Sequence, residues 1–229
     1  MEAVKKGATA VAVRGNDSVI LAIERKAASK LQDTRTVKKI CKLDDRIFLA
    51  FAGLTADARV LVNKARIEAQ SHRLNFDDPI SVDNLTRYIA HTQQRYTQSG
   101  GMRPFGVSTL IGGFDDDGVP KLFHTDPTGV FSAWKANATG RNSNTVREYL
   151  EKHYEAEAMT KDGVTKLAVR ALLEVVESGS KNIEVLIISK DSQEFLEESA
   201  LSTLVTAIEK EKEEEEAKRK AKGTGSTNV

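Results

Sequence analysis

TAVAVRGNDSVILAI, residues 9–23, contains two short apolar runs with a polar turn between them. The turn consists of arginine, glycine, asparagine and aspartate, and the last three of these favour a reversal of the chain. The stretch therefore predicts a β-hairpin with strands at 9–13 and 19–23. A second pair of apolar runs, at 40–43 and 47–51, surrounds two aspartates and predicts another hairpin. The fold thus begins with antiparallel strands.

Helical periodicity follows these strands. Apolar residues recur at helical spacing over 54–69, with Thr55 as the predicted cap and Asp57 in the first turn. A second helix is predicted to begin behind Ser81 and to end before the two glycines at 100–101. Two helices therefore separate the first group of strands from the next.

The second half of the chain repeats this grouping of elements. The pattern predicts strands at 107–111, 121–125 and 130–136, helices at 145–154 and 164–175, a buried strand at 183–188, and a last helix from Leu201. Runs of strands and runs of helices favour antiparallel sheets with the helices outside them. We predict an α+β protein in which two antiparallel sheets lie face to face between two helical layers.

Composition excludes several classes of partner. The chain has 34 lysines and arginines against 33 acidic residues, so no overall field attracts nucleic acid or an anionic membrane. No apolar run approaches the roughly 20 residues that span a bilayer. Cys41 is the one cysteine and cannot form an intramolecular disulfide, and the residues after Met1 lack the apolar core of a signal sequence. We expect a reducing compartment, the cytosol or the nucleus.

Several separate blocks carry a resemblance to a known family. They are EAVKKG at 2–7, KLQD at 30–33, AGLTADAR at 52–59, RYTQ at 95–98 and RPFG at 103–106. In this order and spacing they closely resemble the alpha subunits of the 20S proteasome, and the match runs from Glu2 to about Glu216. Three further stretches, 70–74, 133–138 and 179–184, favour the subtype at the fourth position of the alpha ring.

The resemblance implies a fold and a role. The fold is the four-layer αββα sandwich of the N-terminal-nucleophile hydrolases, packed into a seven-membered ring. The role is non-catalytic: alpha rings contact neighbouring alpha subunits and beta subunits, control substrate access and dock regulatory particles in intracellular, ubiquitin-dependent protein degradation. We expect no cofactor, no direct nucleic acid or membrane partner, and a cytoplasmic and nuclear location. An adaptor or chaperone-like ring acting apart from the proteasome is another alternative.

Thr9 raises the alternative that the chain is an active threonine-type peptidase of the same fold. A threonine hydroxyl needs a base beside it, and in this fold the free α-amine of that threonine serves. Gly7 is followed here by Ala8, which takes the nucleophile's place, and Glu24 stands where the active site requires an aspartate. Lys39 alone resembles a retained active-site residue. We predict that Thr9 is a strand residue, because threonine suits strands.

The resemblance also implies a binding pocket for the C-terminal tail of an activator. In the family pattern a lysine at the position of Lys39 lies between neighbouring subunits and pairs with the tail carboxylate. Gly7 and Leu54 line the same pocket, the first allowing close backbone approach and the second forming an apolar wall. The alternative is that Lys39 is a solvated charge at a strand end, as Lys38 would be.

Three other candidate sites have simpler interpretations. The run of aspartates at 115–117 before Gly118 suggests a calcium loop, but its carboxylates are adjacent and no glutamate closes the site, so a hairpin turn is favoured. The four histidines show no metal-ligand spacing to one another or to Cys41. Cys41 is predicted to be a small buried apolar residue.

The termini complete the domain prediction. We assign 1–208 to the alpha-subunit domain and 209–229 to a charged helical extension with a disordered tail. The basic run at 218–222 is either a nuclear import patch or a solvated helix end. In the family pattern a segment with a tyrosine-aspartate-arginine motif and a helix precedes Glu2. This sequence lacks that gate segment, so we expect a leakier ring.

Overall fold

The structure, a computed structural model, describes residues 2–25, 38–154, 160–176 and 182–223, with only the backbone described from 213 to 223. In chain order the elements are α1 Glu2–Lys5, β1 Ala10–Arg14, β2 Ser18–Glu24, β3 Ile40–Asp44, β4 Ile47–Gly53, α2 Thr55–Phe76, α3 Val82–Gln98, β5 Val107–Phe114, β6 Pro120–Thr125, β7 Phe131–Ala133, β8 Ala136–Thr139, α4 Ser143–His153, α5 Lys161–Leu173, β9 Ile183–Ser189, β10 Gln193–Phe195 and α6 Glu198–Gly223.

The strands of the described ranges form two five-stranded sheets in which every pairing is antiparallel. The first sheet has the order β10-β9-β2-β1-β8, and the second has the order β3-β4-β5-β6-β7. Both predicted hairpins are confirmed. The first is β1–β2, in which Val11 lies opposite Ala22, and the second is β3–β4.

Three apolar clusters hold the four layers together. Helices α2 and α3 pack on the second sheet, and α4, α5 and α6 pack on the first. The third cluster fills the space between the sheets with side chains that include Leu21, Phe48, Leu110, Leu122 and Ile188. Because the central strands are covered on both faces, β5 is buried at all of its positions and shows no alternation. The predicted αββα sandwich of two antiparallel sheets is confirmed.

The prediction of one strand over 130–136 is wrong. The stretch forms two strands in different sheets, β7 in the second and β8 in the first. Trp134 still donates its N–H to Leu122 of β6 at 2.9 Å, whereas the carbonyl of the next residue, Lys135, accepts from Arg14 of β1 at 2.8 Å. The chain therefore changes sheets at this peptide, because its hydrogen-bond partner changes from β6 to β1.

Helix ends differ from the predictions in detail. Leu54, and not Thr55, is the N-cap of α2, and it makes no side-chain capping bond. Ser81 is the predicted cap of α3 and accepts the N–H of Asn84 at 3.2 Å. Strand β10 was missed because its residues are exposed and polar except for Phe195. The sequence blocks at 30–33 and 179–181 lie outside the described residues.

Helix α6 is continuous across the predicted domain boundary at 208/209. Ile208 is fully buried. Beyond it, Glu211 pairs with Lys166 and Lys212 pairs with Glu174, at 2.5 and 2.8 Å. The division at 208 stays a prediction, and the predicted disordered tail at 224–229 lies outside the described residues. Within the described ranges, no helix is long and apolar enough to cross a membrane.

Candidate functional site

Four polar residues from distant parts of the chain meet where β1 begins and β2 ends. We call Thr9, Glu24, Lys39 and Arg141 the Thr9 cluster. Glu24 Oε2 accepts the backbone N–H of Thr9 at 3.1 Å, and Glu24 Oε1 lies 3.8 Å from the guanidinium of Arg141. Lys39 comes directly before β3, and both Glu24 and Arg141 act on its charge. The cluster therefore combines one carboxylate with two cations.

Thr9 is buried and fully engaged in this cluster. Only 2% of it is exposed, and its hydroxyl donates to the carbonyl of Arg141 at 2.7 Å. Its nitrogen belongs to a peptide bond, because Ala8 precedes it, and so it cannot accept a proton as a free amine would. Thr9 lies one residue before β1 rather than within a strand, which corrects its prediction, and it acts as a structural hydrogen-bond donor.

Lys39 is the half-buried cation of the cluster. Burial lowers the pKa of Lys39, while the charge of Glu24 acts in the opposite direction and that of Arg141 lowers the pKa further. Among the described residues, no carboxylate forms an ion pair with Lys39. Lys38 beside it is exposed, so two adjacent lysines have different surroundings. A partly desolvated ammonium of this kind gains from an incoming anion.

Gly7 packs against the backbone of Gly53, directly before Leu54, and we call this contact the junction. A Cβ on Gly7 would fall 2.5 Å from the nitrogen of Gly53, so only glycine fits. Gly53 has a φ of +123°, and Leu54 follows it with its N–H donated to Gly106 at 3.0 Å. Leu54 is 45% exposed. The carbonyl of Gly7 accepts the N–H of Arg141 at 3.1 Å, which connects this junction to the Thr9 cluster.

A saturated ion pair anchors the other end of that junction. Asp57, in the first turn of α2, accepts both terminal nitrogens of Arg103 at 2.6 and 2.7 Å. Its Oδ2 also accepts the N–H of Gly106 at 2.9 Å. The hydrogen bonds from Arg103 and Gly106 hold the pKa of Asp57 below its ordinary value. Sequence reasoning placed Asp57 in the first turn but missed this partner, which lies 46 residues away.

The run of aspartates forms the predicted hairpin turn between β5 and β6. Gly118 has a φ of +73° and donates its N–H to the carbonyl of Asp115. Asp115 accepts the N–H of Val82 at 2.7 Å and pairs with Lys121, while Asp116 pairs with Arg46 at 3.1 Å. These carboxylates therefore fix the start of α3 and join two hairpins.

Cys41 and the histidines were the remaining candidates for chemistry, and the contacts described for them are with groups of the fold. Cys41 is half-buried rather than fully buried, a correction to its prediction, and burial raises the pKa of its thiol. His124 contacts Ser108, and His153 contacts a backbone carbonyl of its own helix. Among the described residues, no group of three or more histidines, cysteines, aspartates and glutamates is placed to hold a metal ion.

Comparison with known proteins identifies the family. A family model described as "Proteasome subunit" matches residues 4–188. The chain belongs to the proteasome subunit family. It is 63% identical over 213 residues to proteasome subunit alpha type-7 of Solanum lycopersicum, covering 92% of this chain and 82% of that protein. It is 59% identical over 214 residues to alpha type-7-A of Arabidopsis thaliana, with 92% and 85% covered. Alpha type-8 of Mus musculus is 56% identical over 212 residues, covering 92% of this chain and 85% of that protein.

These relatives confirm the predicted alpha-type identity and the predicted subtype. Alpha-type subunits are structural, non-catalytic members of the 20S proteasome ring, and this chain is one of them. Assembly with other alpha and beta subunits follows from membership of the family. The buried, peptide-bonded Thr9 is consistent with that role.

Proposed function

We propose that this proteasome alpha subunit takes part in ring assembly, in control of substrate access and in docking of regulatory particles. The docking site is a pocket formed by Gly7, Lys39 and Leu54, which receives the C-terminal tail of an activator. Its partners are neighbouring alpha subunits, beta subunits and activator tails. Cytoplasm and nucleus are its locations, in keeping with the subunit's place in intracellular protein degradation.

The observation that carries the docking proposal is the setting of Lys39. Burial has already removed part of the water around its ammonium, as the lowered pKa reflects, and no described carboxylate pairs with it. A tail carboxylate would supply a charge-assisted hydrogen bond at little further desolvation cost. Such a bond contributes about 1.5–3 kcal/mol, or roughly tenfold to a hundredfold in affinity at one pocket.

The other two residues support the same pocket. Gly7 lets the backbone of Gly53 approach closely because it has no side chain, and Leu54, which follows Gly53, keeps 45% of its surface exposed. Contacts through Gly53 and Arg141 connect both residues with the Thr9 cluster. An extended peptide terminus would therefore meet the apolar wall of Leu54 and the cation of Lys39.

Lys39→Ala tests this proposal, and Lys38→Ala is the matched control. A C-terminal activator peptide is titrated against assembled 20S particles that carry each substitution, with particle integrity checked by size. Isolated peptides avoid the avidity of a multivalent activator. We expect Lys39→Ala to bind the peptide about ten times more weakly or worse, and Lys38→Ala to bind as wild type does.

A second peptide with an amidated C-terminus separates the charge from the rest of the tail. It should bind wild-type particles as weakly as the free-acid peptide binds Lys39→Ala particles. Equal affinity of wild type and Lys39→Ala for the free-acid peptide would show that this pocket is unused or wrongly placed.

A further inference from the structure

A cleft of about 670 Å³ lies at the N-terminus of α4, among the start of β5, the end of β6 and the turn between β8 and α4. We call it the α4 cleft. None of Gly7, Lys39 and Leu54 lines it, but Arg141 of the Thr9 cluster does, so the cleft adjoins the proposed tail pocket without sharing its three residues. Its polar lining includes Lys5, Ser108, His124, Asp126, Arg141 and Arg147. Its volume lies within the range of about 300–1,000 Å³ that is usual for small-molecule sites.

Cations dominate this lining. The lining contains three cations, Lys5, Arg141 and Arg147, and one carboxylate, that of Asp126. Asp126 Oδ1 is already occupied, because it accepts the N–H of Thr128 at 2.8 Å and the N–H of Val130 at 3.2 Å. Burial lowers the pKa of His124, so this ring adds no charge at neutral pH. The described lining therefore carries an excess of two positive charges.

The three cations keep hydrogen-bonding capacity. Arg147 makes one long bond, 3.4 Å, from a terminal nitrogen to Ser143, and its buried Nε has no partner. Arg141 is 3.8 Å from Glu24, which is beyond hydrogen-bond distance. Lys5 is 3.8 Å from the exposed Glu2. Each of these donors can turn to an anion in the cleft without breaking a short ion pair.

Neutral groups of fixed orientation also line the cleft. Ser108 is 2% exposed and donates its hydroxyl to the carbonyl of Thr125 at 2.9 Å. Its oxygen therefore accepts from Nε2 of His124 at 2.8 Å, which assigns the ring proton to Nε2. The first turn of α4 contains no acidic residue, and its cap, Asn142, makes no side-chain capping bond. The unpaired N–H groups of that turn add to the positive potential set by the side chains.

We propose that the α4 cleft binds a small molecule that carries two or more phosphoryl groups. Two guanidinium groups and one ammonium at the wall of a single cleft match the charge and the planar oxygen pairs of such an anion. A single phosphate would leave most of the cleft volume unfilled. No covalent step is involved, because the cleft holds an anion and the subunit is not catalytic.

Inorganic pyrophosphate is the probe for this proposal. Its binding to the assembled particle is measured by equilibrium dialysis in metal-free buffer at constant ionic strength, against the same series with sulfate. We expect saturable binding of pyrophosphate by wild type and at least tenfold weaker binding of sulfate, which offers fewer charged oxygens.

Substitutions on one helix locate the binding. Arg147→Gln should weaken pyrophosphate binding about tenfold, because it removes one charge-assisted contact. Lys152→Gln is the matched control, since it removes the same charge from the last turn of α4, away from the cleft. We expect its affinity to stay within about twofold of wild type.

Arg141→Gln is a second cleft variant. Because the Arg141 side chain is 42% exposed, its replacement should leave the fold intact even if Arg147→Gln folds poorly. It should also lose about tenfold. Absence of saturable binding by wild type would overturn the proposal. So would equal losses in Lys152→Gln and the two cleft variants, because that pattern indicates general charge attraction.

Discussion

Asp57 and Glu24 each accept one backbone N–H and each face an arginine, yet their geometries differ. Asp57 receives two short bonds from Arg103 and one from Gly106, so its main acceptor sites are filled. Glu24 receives one bond from Thr9, and its arginine is 3.8 Å away. The first carboxylate closes a structural junction. The second leaves two nearby cations incompletely neutralised. The first carboxylate therefore stabilises the fold, whereas the surroundings of the second suit the binding of an anion.

The largest effect should follow loss of the saturated carboxylate. Asp57→Ala leaves the N–H of Gly106 without its acceptor and frees the turn that leads into β5. We expect a loss of about 2–4 kcal/mol in the free energy of unfolding, as for other buried hydrogen-bond networks. Urea denaturation of the purified full chain measures it.

Asp83→Ala is the control for Asp57→Ala. Asp83 also forms an arginine pair in the first turn of a helix, with Arg87 at 2.7 Å, but the Asp83 side chain is 34% exposed, against 9% for Asp57. We expect a loss of at most about 0.5 kcal/mol. Equal losses in the two variants would contradict the distinction between a saturated junction and a surface pair.

The stability contributed by Asp57 should depend on pH. The hydrogen bonds from Arg103 and Gly106 place the folded-state pKa of Asp57 below its unfolded value of about 3.9. The stabilisation is therefore fully present above the unfolded pKa and is lost as pH falls through the folded pKa. The stability difference between wild type and Asp57→Asn should stay constant from pH 7 to about 5 and shrink below about pH 4. A stability difference that grows on acidification would contradict a lowered folded-state pKa of Asp57.

A smaller effect is expected at the unsaturated carboxylate. Glu24→Gln removes a negative charge that repels an incoming carboxylate near Lys39. We predict about fivefold tighter binding of the activator peptide at neutral pH, which corresponds to about 1 kcal/mol of charge repulsion. The accompanying fall in the pKa of Lys39 limits the gain, because Glu24 raises that pKa. Glu148→Gln, an exposed charge on α4, is the control, and an unchanged affinity in Glu24→Gln would count against the proposed pocket.

No effect at all is expected on peptide hydrolysis by the chain itself. The purified subunit should not cleave fluorogenic peptides, and Thr9→Val should be indistinguishable from wild type, because Thr9 has no free amine to act as base. Catalysis by the chain that disappears in Thr9→Val would restore the threonine-peptidase alternative.

Local sequence patterns were sufficient for most elements of the fold. The apolar runs of β1 and β2, the spacing of α2 and the cap at Ser81 depend on neighbours within a few residues, and so they could be read from the chain alone. The single strand predicted over 130–136 failed for the opposite reason. Both halves of this stretch suit a strand. No local sequence feature marks the peptide at which the hydrogen-bond partner of the stretch changes from β6 to β1.

The candidate site divides in the same way. The block around Gly7 and the blocks at 52–59 and 103–106 determined the family and the non-catalytic role, because they are contiguous motifs. Only tertiary structure decided that the hydroxyl of Thr9 reaches Arg141, 132 residues away, and that Arg103 reaches Asp57. Sequence spacing carries no information about such pairs, since their distances depend on how two sheets and their helices pack. Burial of those side chains, and with it the direction of each pKa shift, is decided by that packing.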